Sequence, residues 1–475
     1  MDVHIQMEIT ARELEGRSLL ALAAAERGHH VLLGDVEEYL AGTPRTFAPG
    51  IFHDKALTPG RRRTRLYADL LAHGHTITSQ DEEHFLALPS FDVPARTRFS
   101  TTTLEQARRS FAWGDHEADA LRAHYPGLGD RIVTTGSPRA DLWRPELRSV
   151  HGREPLPVPD DRPVILVSSN FSAVLDVNPL WVRLRDKRER YVGADDPVEF
   201  DYYTFTAEKL HVLRAFVRGV RRLARRHPEA VVVVRPHPIE QDGAWEDLVG
   251  PDHGVVVTRA GTLTAWIHRA AVVIQNGCTS GYEAALLDTP TIALHPDGVF
   301  ADHPSNAFSQ RAATDDELDA LVARALRGDV AGWRDPAGDA VLARRLAALD
   351  GPLAADRIVA EWEALDVPAG RPLAPTPVLR AARRAVRARH RAARLKGRLT
   401  AGDTGARGGA FRVAHKFPPL RETEVAGLVD ALRRATGRFG GVAVEVVAPD
   451  LVAFRPARSG SVGRPADRGG RSARP

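Results

Sequence analysis

Ala271-Val-Val-Ile-Gln-Asn-Gly-Cys-Thr-Ser-Gly-Tyr-Glu283 is the stretch that decides how this chain reads. The apolar run Ala271 to Ile274 has the pattern of a buried strand. Gly277 and Gly281 allow a tight turn, and Thr279 and Ser280 open a helix. In a parallel sheet that layout aims backbone N–H groups at one spot, which suits a phosphate. Upstream, Val231-Val-Val-Val-Arg-Pro-His-Pro-Ile-Glu240 reads as a second strand that ends in a polar corner.

Working outward, strands are expected at 163–168, 230–235, 254–258, 271–275 and 290–294, with helices at 206–226, 316–327 and 354–365. Toward the N-terminus, a strand at 3–9, a helix at 11–27 and a strand at 30–34 form the unit that opens a parallel sheet. Further strands are expected at 74–79 and 131–135. The fold class is α/β, with two Rossmann-like domains followed by a basic C-terminal extension. Residues 1–145 read as the N-terminal domain, 146–162 as a proline-bearing linker and 163–365 as the second domain. Residues 366–415 read as a basic linker and helix, 416–455 as a small C-terminal unit of helix and strand, and 456–475 as a disordered tail.

The composition excludes several classes. One cysteine, Cys278, rules out an internal disulfide framework. The N-terminus shows no secretory pattern, and the best apolar run, Leu19 to Ala25, is far short of a membrane span. A cytoplasmic protein is expected, in part peripheral to the inner face of the cell membrane. There is no Gly-x-x-x-x-Gly-Lys-Ser/Thr loop, Gly-x-Ser-x-Gly elbow, His-Glu-x-x-His or paired Cys-x-x-Cys. No metal site and no cofactor are expected.

Charge is distributed unevenly. Residues 366–475 carry 23 Lys and Arg against 8 Asp and Glu, whereas the first 365 carry 42 against 53. Within the basic quarter, Val378 to Leu399 holds nine Lys and Arg and no acid. That stretch allows three readings: attachment to an anionic membrane surface, a solvated tether, or nucleic-acid binding. Each basic residue near an anionic leaflet contributes roughly 1 kcal/mol, which favours the membrane. The lack of interleaved aromatics argues against nucleic acid.

Ligands of open α/β sheets sit at the carboxyl ends of strands. The candidate ligand-binding residues are therefore Asn276, Gly277, Cys278, Thr279, Ser280, Gly281 and Glu283 in one loop, Arg235 in the next, and Ser169 and Asn170 after the strand at 163–168. Arg235 would clamp a phosphate, and Glu283 would accept from ribose hydroxyls. Ser280-Gly-Tyr-Glu283 equally fits a capping box. His237, between two prolines, is a candidate to transfer a proton or to bind a leaving phosphate. Glu240 reads as a solvated surface carboxylate. In the first domain, Asp81, Glu82 and Glu83 follow a strand, so that one of them is a candidate base toward an acceptor hydroxyl. A solvated acidic helix start fits the same residues.

The motif order resembles that of bacterial surface-carbohydrate biosynthesis proteins within the GT-B glycosyltransferase group. The resemblance runs through Arg12-Glu-Leu-Glu-Gly-Arg-Ser-Leu-Leu-Ala-Leu-Ala23, Asp81-Glu-Glu83 and Phe111-Ala-Trp-Gly114. It continues through Val133-Thr-Thr-Gly-Ser-Pro-Arg139, Arg235-Pro-His-Pro238, Asn276-Gly-Cys-Thr-Ser-Gly281 and Lys416-Phe-Pro-Pro. It extends distantly to CDP-glycerol and Kdo-type transferases, and to UDP-sugar epimerases through the Thr-Gly-Ser-Pro hinge. The resemblance implies two domains facing across a cleft, with a nucleotide-sugar donor on the second and a glycan or lipid-linked acceptor on the first. It also implies metal-independent transfer and a helix at 354–365 that crosses back to the first domain. An epimerase of the same architecture and a non-catalytic sugar-nucleotide-binding scaffold remain as alternatives.

Overall fold

Two sheets, one parallel throughout and one parallel except for a C-terminal hairpin, make up the computed structural model of the chain. It describes residues 1–35, 48–82, 90–153, 155–185, 201–250, 254–334, 336–367 and 417–456, with scattered positions between 377 and 388. Glu83, Lys416, most of 378–399 and the tail beyond Pro456 lie outside the described residues.

The first sheet starts with β1 (Asp2–Met7), α1 (Thr10–Glu26) and β2 (His30–Asp35). It continues with β3 (Ile51–Asp54), α2 (Arg61–Ala72), β4 (Thr76–Gln80), α3 (Asp92–Arg98) and α4 (Thr101–Gln106). Then come β5 (Arg109–Ala112), α5 (Asp115–His124), β6 (Ile132–Thr134) and the single turn α6 (Pro138–Asp141). The second sheet starts with β7 (Val164–Ser168), α7 (Tyr202–Arg226), β8 (Val231–Arg235), α8 (Ala244–Val249) and β9 (Val255–Val257). α9 (Leu263–Arg269), β10 (Val272–Gln275), α10 (Ser280–Leu286) and β11 (Thr291–Leu294) follow. β12 (Gln310–Ala312), α11 (Asp315–Leu326) and α12 (Ala337–Arg345) complete that half. The strand order β12-β11-β10-β7-β8-β9 is that of a doubly wound, Rossmann-like sheet.

Central strands read as continuous apolar runs because both of their faces are buried. Ile165, Val167, Val232 and Val234 face α7 and α11, while Val164, Leu166, Val231 and Val233 face α9 and α10. α7 shows the helical stripe in full: Val212, Leu213, Phe216, Val220 and Leu223 are buried, and Arg214, Arg218 and Arg225 are exposed. α11 begins with a capping box in which Thr314 and Glu317 exchange side-chain and backbone hydrogen bonds.

The last described helices do not stay with the second sheet. α13 (Ala354–Glu363) returns to the first domain, where Ile358, Val359 and Trp362 join the core of Leu14, Leu19 and Leu22. Trp362 Nε1 donates to Thr78 Oγ1 at 3.1 Å. Two buried amides at the start of α13, Ala354 and Ala355, donate to the Asp141 carboxylate at 2.9 and 3.0 Å. Two Rossmann-like domains with a crossing C-terminal helix are the GT-B arrangement.

Within the stretch 416–455, read from sequence as a small C-terminal unit, the described residues 417–455 extend the first sheet. α14 (Glu422–Thr436) buries Val425, Leu428 and Leu432 in the same core as α1. β13 (Val442–Ala448) and β14 (Leu451–Pro456) form a hairpin, and β14 pairs antiparallel with β2, Leu451 opposite Gly34 and Phe454 opposite Val31. The sheet order is therefore β13-β14-β2-β1-β3-β4-β5-β6. The stretch 146–162, read as a linker, begins with a 3-10 helix, Pro145–Arg153, whose Leu147 and Val150 are buried in that core.

Candidate active site

In each half the parallel strands end on one edge, and those edges carry most of the polar side chains singled out above. On the first domain, β1, β3 and β4 deliver Glu8, Lys55 and Gln80-Asp81-Glu82 to the start of α1. Lys55 Nζ pairs with Glu8, and Arg17 Nε lies 3.0 Å from Glu82 Oε1. Glu13 is fully enclosed: the Glu8 amide donates to its Oε2 and Arg12 Nη2 to its Oε1, both at 2.8 Å. Burial pushes the Glu13 carboxyl up to about 7, with Arg12 pulling it down and Glu82 adding to the rise. Glu82 is buried as well, and its Oε2 has no hydrogen-bond partner.

Asp81 has a different role from the base expected of it. Arg98 donates to both of its oxygens, at 2.5 and 2.8 Å, and its carbonyl accepts from Trp113 Nε1 at 3.0 Å. This bidentate pair fixes α3 against β4. Of the acidic triplet, Glu82 alone is seen in the cluster with Glu13, since Glu83 lies outside the described residues.

The motifs Phe111-Ala-Trp-Gly114 and Thr134-Thr-Gly-Ser-Pro138 explain themselves sterically. The segment 345–348 crosses directly over Gly114 and Gly136, and the Ala347 amide donates to the Trp113 carbonyl at 2.7 Å. A Cβ at Gly136, whose φ is +81, would lie 2.5 Å from the Ala347 oxygen. Gln80 Nε2 donates to the Gly136 carbonyl at 2.7 Å, tying the end of β4 to this hinge. One turn further on, Arg139 packs its backbone onto Gly16 of α1, and its guanidinium pairs with Glu283 of the second domain.

That pairing corrects two expectations for Glu283. Its side chain is fully buried and accepts from Arg139 and, at 3.0 Å, from Thr264 Oγ1, so it is not presented to a ribose. Nor does the capping box form: the N-cap of α10 is Thr279 with helical φ and ψ and no side-chain bond, and Ser280 Oγ has no partner.

The 276–281 loop is organised from below by Gln275, which the sequence reading passed over. Its Oε1 accepts from the Gly277 and Cys278 amides at 2.7 and 2.9 Å, so these two donors are not offered to a phosphate. The Gly281 amide is taken by the Cys278 carbonyl and the Glu283 amide by Thr279. Gly277, at φ +80, lies against His303; a Cβ there would sit 2.5 Å from His303 Nδ1. Asn276 is completely buried, yet neither Oδ1 nor Nδ2 has a hydrogen-bond partner among the described residues.

At the neighbouring corner the roles of Arg235 and Glu240 are the reverse of those expected. Arg235 donates to the Thr258 and Gly261 carbonyls at 2.7 and 2.9 Å, which holds the turn after β9 rather than a phosphate. Glu240 is fully buried and gathers the corner. It accepts from Ser169 Oγ at 2.7 Å, from the Phe171 and His237 amides at 2.7 and 3.1 Å, and from Trp245 Nε1 at 3.1 Å. Burial raises its pKa and these donors lower it again. Ser169 and His237 are thereby brought together on one carboxylate, with half-buried Asn170 between Ser169 and Phe171.

Lys209 of α7 is the residue that sequence reasoning missed entirely. It is 3% exposed, and its ammonium lies over three rings: Phe300 at 4.6 Å, Phe205 at 5.6 Å and Phe171 at 5.9 Å. Burial brings its pKa down to about 8, with Cys278 and Glu240 opposing. Its helical position marked it as core. The signal that could have found it is a lone lysine on the apolar stripe of a helix whose other basic residues are arginines.

No protein-family model matches the chain, and neither does any curated protein. Among solved structures it is similar to UDP-GlcNAc 2-epimerase from Neisseria meningitidis, with TM-score 0.47 and 11% identity over 77% of this chain and 100% of that one. The enzyme of the same name from Methanocaldococcus jannaschii gives TM-score 0.44 and 12% identity over 77% of this chain and 100% of that chain. A variant of the wall teichoic acid polymerase TagF gives TM-score 0.44 and 10% identity, with 77% of this chain and 88% of that one covered. Likeness at this level says nothing about the reaction of this chain.

Proposed function

We propose that the chain is a GT-B glycosyltransferase that moves a sugar or phosphosugar from a nucleotide donor to a surface-polysaccharide or lipid-linked acceptor, without metal or cofactor. The observation that carries this reading is the division of charge between the two strand-end edges. The first domain offers a buried carboxylate pair, Glu13 and Glu82, and the second a buried cation, Lys209, whose ammonium faces aromatic rings. Arg139 and Glu283 join the two halves. Group transfer needs that polarity, because a proton must leave the acceptor hydroxyl while negative charge develops on the departing phosphate.

In this reading the acceptor oxygen forms the new bond and its proton passes to the Glu13–Glu82 pair. The donor's bond to its nucleotide phosphate breaks, and the nucleoside phosphate keeps the electron pair on the second domain. An epimerase of the same architecture would need no acceptor and would release no nucleoside phosphate. The first test is a thermal-shift screen with UDP-, CMP-, CDP-, GDP- and TDP-sugars, repeated with EDTA. A donor that stabilises the protein then enters a product assay with a lipid-linked acceptor. Acceptor-dependent release of nucleoside phosphate supports transfer, while failure of every sugar nucleotide to stabilise the protein removes the reading.

A further inference from the structure

We infer that Lys209, within the ring cage of Phe171, Phe205 and Phe300, is the cation that binds the phosphate oxygens of the donor. This rests on the sugar-nucleotide reading above and gives it a residue. The three rings come from different places: Phe205 from α7 itself, Phe171 from the loop after β7 and Phe300 from the loop after β11. The ammonium therefore lies at the carboxyl edge of the second sheet, where the loop after β10 also arrives.

A lysine that is 3% exposed has lost its water, and the replacement normally seen is a carboxylate. Here no carboxylate among the described residues forms an ion pair with it. Glu240, the carboxylate whose charge acts on it, already accepts from Ser169, Phe171, His237 and Trp245. The other titratable groups that bear on Lys209 are Cys278, His295 and His303, and both histidines are held below their usual pKa, His303 at about 4. Ring faces compensate an ammonium in part, but accept none of the directed hydrogen bonds that an oxyanion would. The same edge carries a polar demand unmet among the described residues, the buried Asn276 amide with no partner on either atom. A bound oxyanion answers the charge and a hydrogen-bonding ligand answers the amide. A merely structural lysine answers neither.

The protein has five lysines, so Lys209 can be followed by amine acylation and peptide mass spectrometry on the full chain. UDP and inorganic pyrophosphate serve as probes, with calorimetry on wild type, Lys209→Met and Lys209→Arg. The expected result is protection of Lys209 by both probes, at least tenfold weaker binding to Lys209→Met, and partial recovery in Lys209→Arg. The ligand-free Lys209→Met protein should melt no lower than wild type at pH 7, because it loses a buried charge. Binding should weaken as pH rises through about 8, where the ammonium titrates. If UDP binds Lys209→Met as tightly as wild type, or binds without protecting Lys209, this inference is overturned while the sugar-nucleotide reading stands. Lys209-dependent binding of pyrophosphate without any nucleotide binding supports the anion site and removes the donor reading. Failure of both probes to bind overturns the inference.

Discussion

Glu13 and Glu240 are both carboxylates without access to water, yet they are held in opposite ways. Glu240 has four donors around it, two of them backbone amides, so its demand is met and the loops after β7 and β8 are fixed relative to each other. Removing one partner of such a set leaves several buried donors unsatisfied, which costs about 3–5 kcal/mol. Glu240→Ala should therefore lower stability by that amount in chemical denaturation, and Glu240→Gln by less. An Ala variant within 1 kcal/mol of wild type would show that the corner does not depend on it. Glu13 has fewer donors and a like-charged neighbour in Glu82, which is why its carboxyl rises to about 7. A folded-state pKa above the unfolded value means that the folded protein holds the proton longer. Its contribution is then most favourable below about pH 4.5 and is lost as pH rises toward 7. The shift corresponds to at most about 3 kcal/mol, set against Arg12 and Arg17, which face the same carboxyl. Glu13→Gln keeps the shape without the charge, so its stability relative to wild type should improve between pH 5 and pH 8. A pH-independent difference would contradict the shift.

At the scale of elements, the C-terminal hairpin closes an edge that the doubly wound sheet would otherwise expose. β2 would present unpaired amides to solvent, and β14 covers them. α14 and β14 also put Val425, Leu428, Leu432, Val452 and Phe454 into the core beneath α1. Fully burying each such side chain is worth roughly 1.5–3 kcal/mol, so the set rivals the whole ~5–15 kcal/mol stability of a domain. A chain ending at residue 415 should therefore aggregate or lack a cooperative melt, read by size exclusion and calorimetry; a monomer melting like the full chain would refute this. Sequence reading found the long apolar strands, α1, α7, α11 and α13, because burial on one or both faces leaves a period in the residues. It missed β3, whose Ile51-Phe-His-Asp54 carries two polar residues that are nevertheless buried, His53 bonding Thr78 Oγ1 at 3.0 Å. It also could not see that β14 pairs with β2, since partner choice between strands far apart in the chain leaves no local pattern. The candidate site was legible as places rather than roles: the loops after β7, β8 and β10 do converge. That Arg235, Gln275, Glu240 and Glu283 all turn inward is decided by hydrogen bonds to backbone carbonyls, backbone amides and Arg139.

For the whole molecule, the question is what fixes one Rossmann-like half against the other. Among the described residues, links of three kinds cross between them: an apolar cluster, a threaded segment and charged pairs. Trp113, Trp143 and Ala140 share an apolar cluster with Tyr282, Phe308 and Leu342. The segment 345–348 threads over Gly114 and Gly136. Of the charged pairs that cross, Arg148–Asp288 leaves Asp288 68% exposed, whereas Arg139–Glu283 is buried, with Glu283 side-chain exposure 0% and Arg139 14%. A buried ion pair adds little net stability but is costly to break one-sidedly, about 3–5 kcal/mol. Halved, it leaves Glu283 as an uncompensated buried charge, a cost that parting the domains would relieve. Arg139→Met should lower stability by that amount and raise the radius of gyration measured by small-angle X-ray scattering. Adding Glu283→Gln to it should restore much of both, since no charge is then left unpaired. If Arg139→Met loses stability but scatters as wild type, and the second substitution restores nothing, the pair is an ordinary packing contact and the apolar cluster alone sets the domain angle.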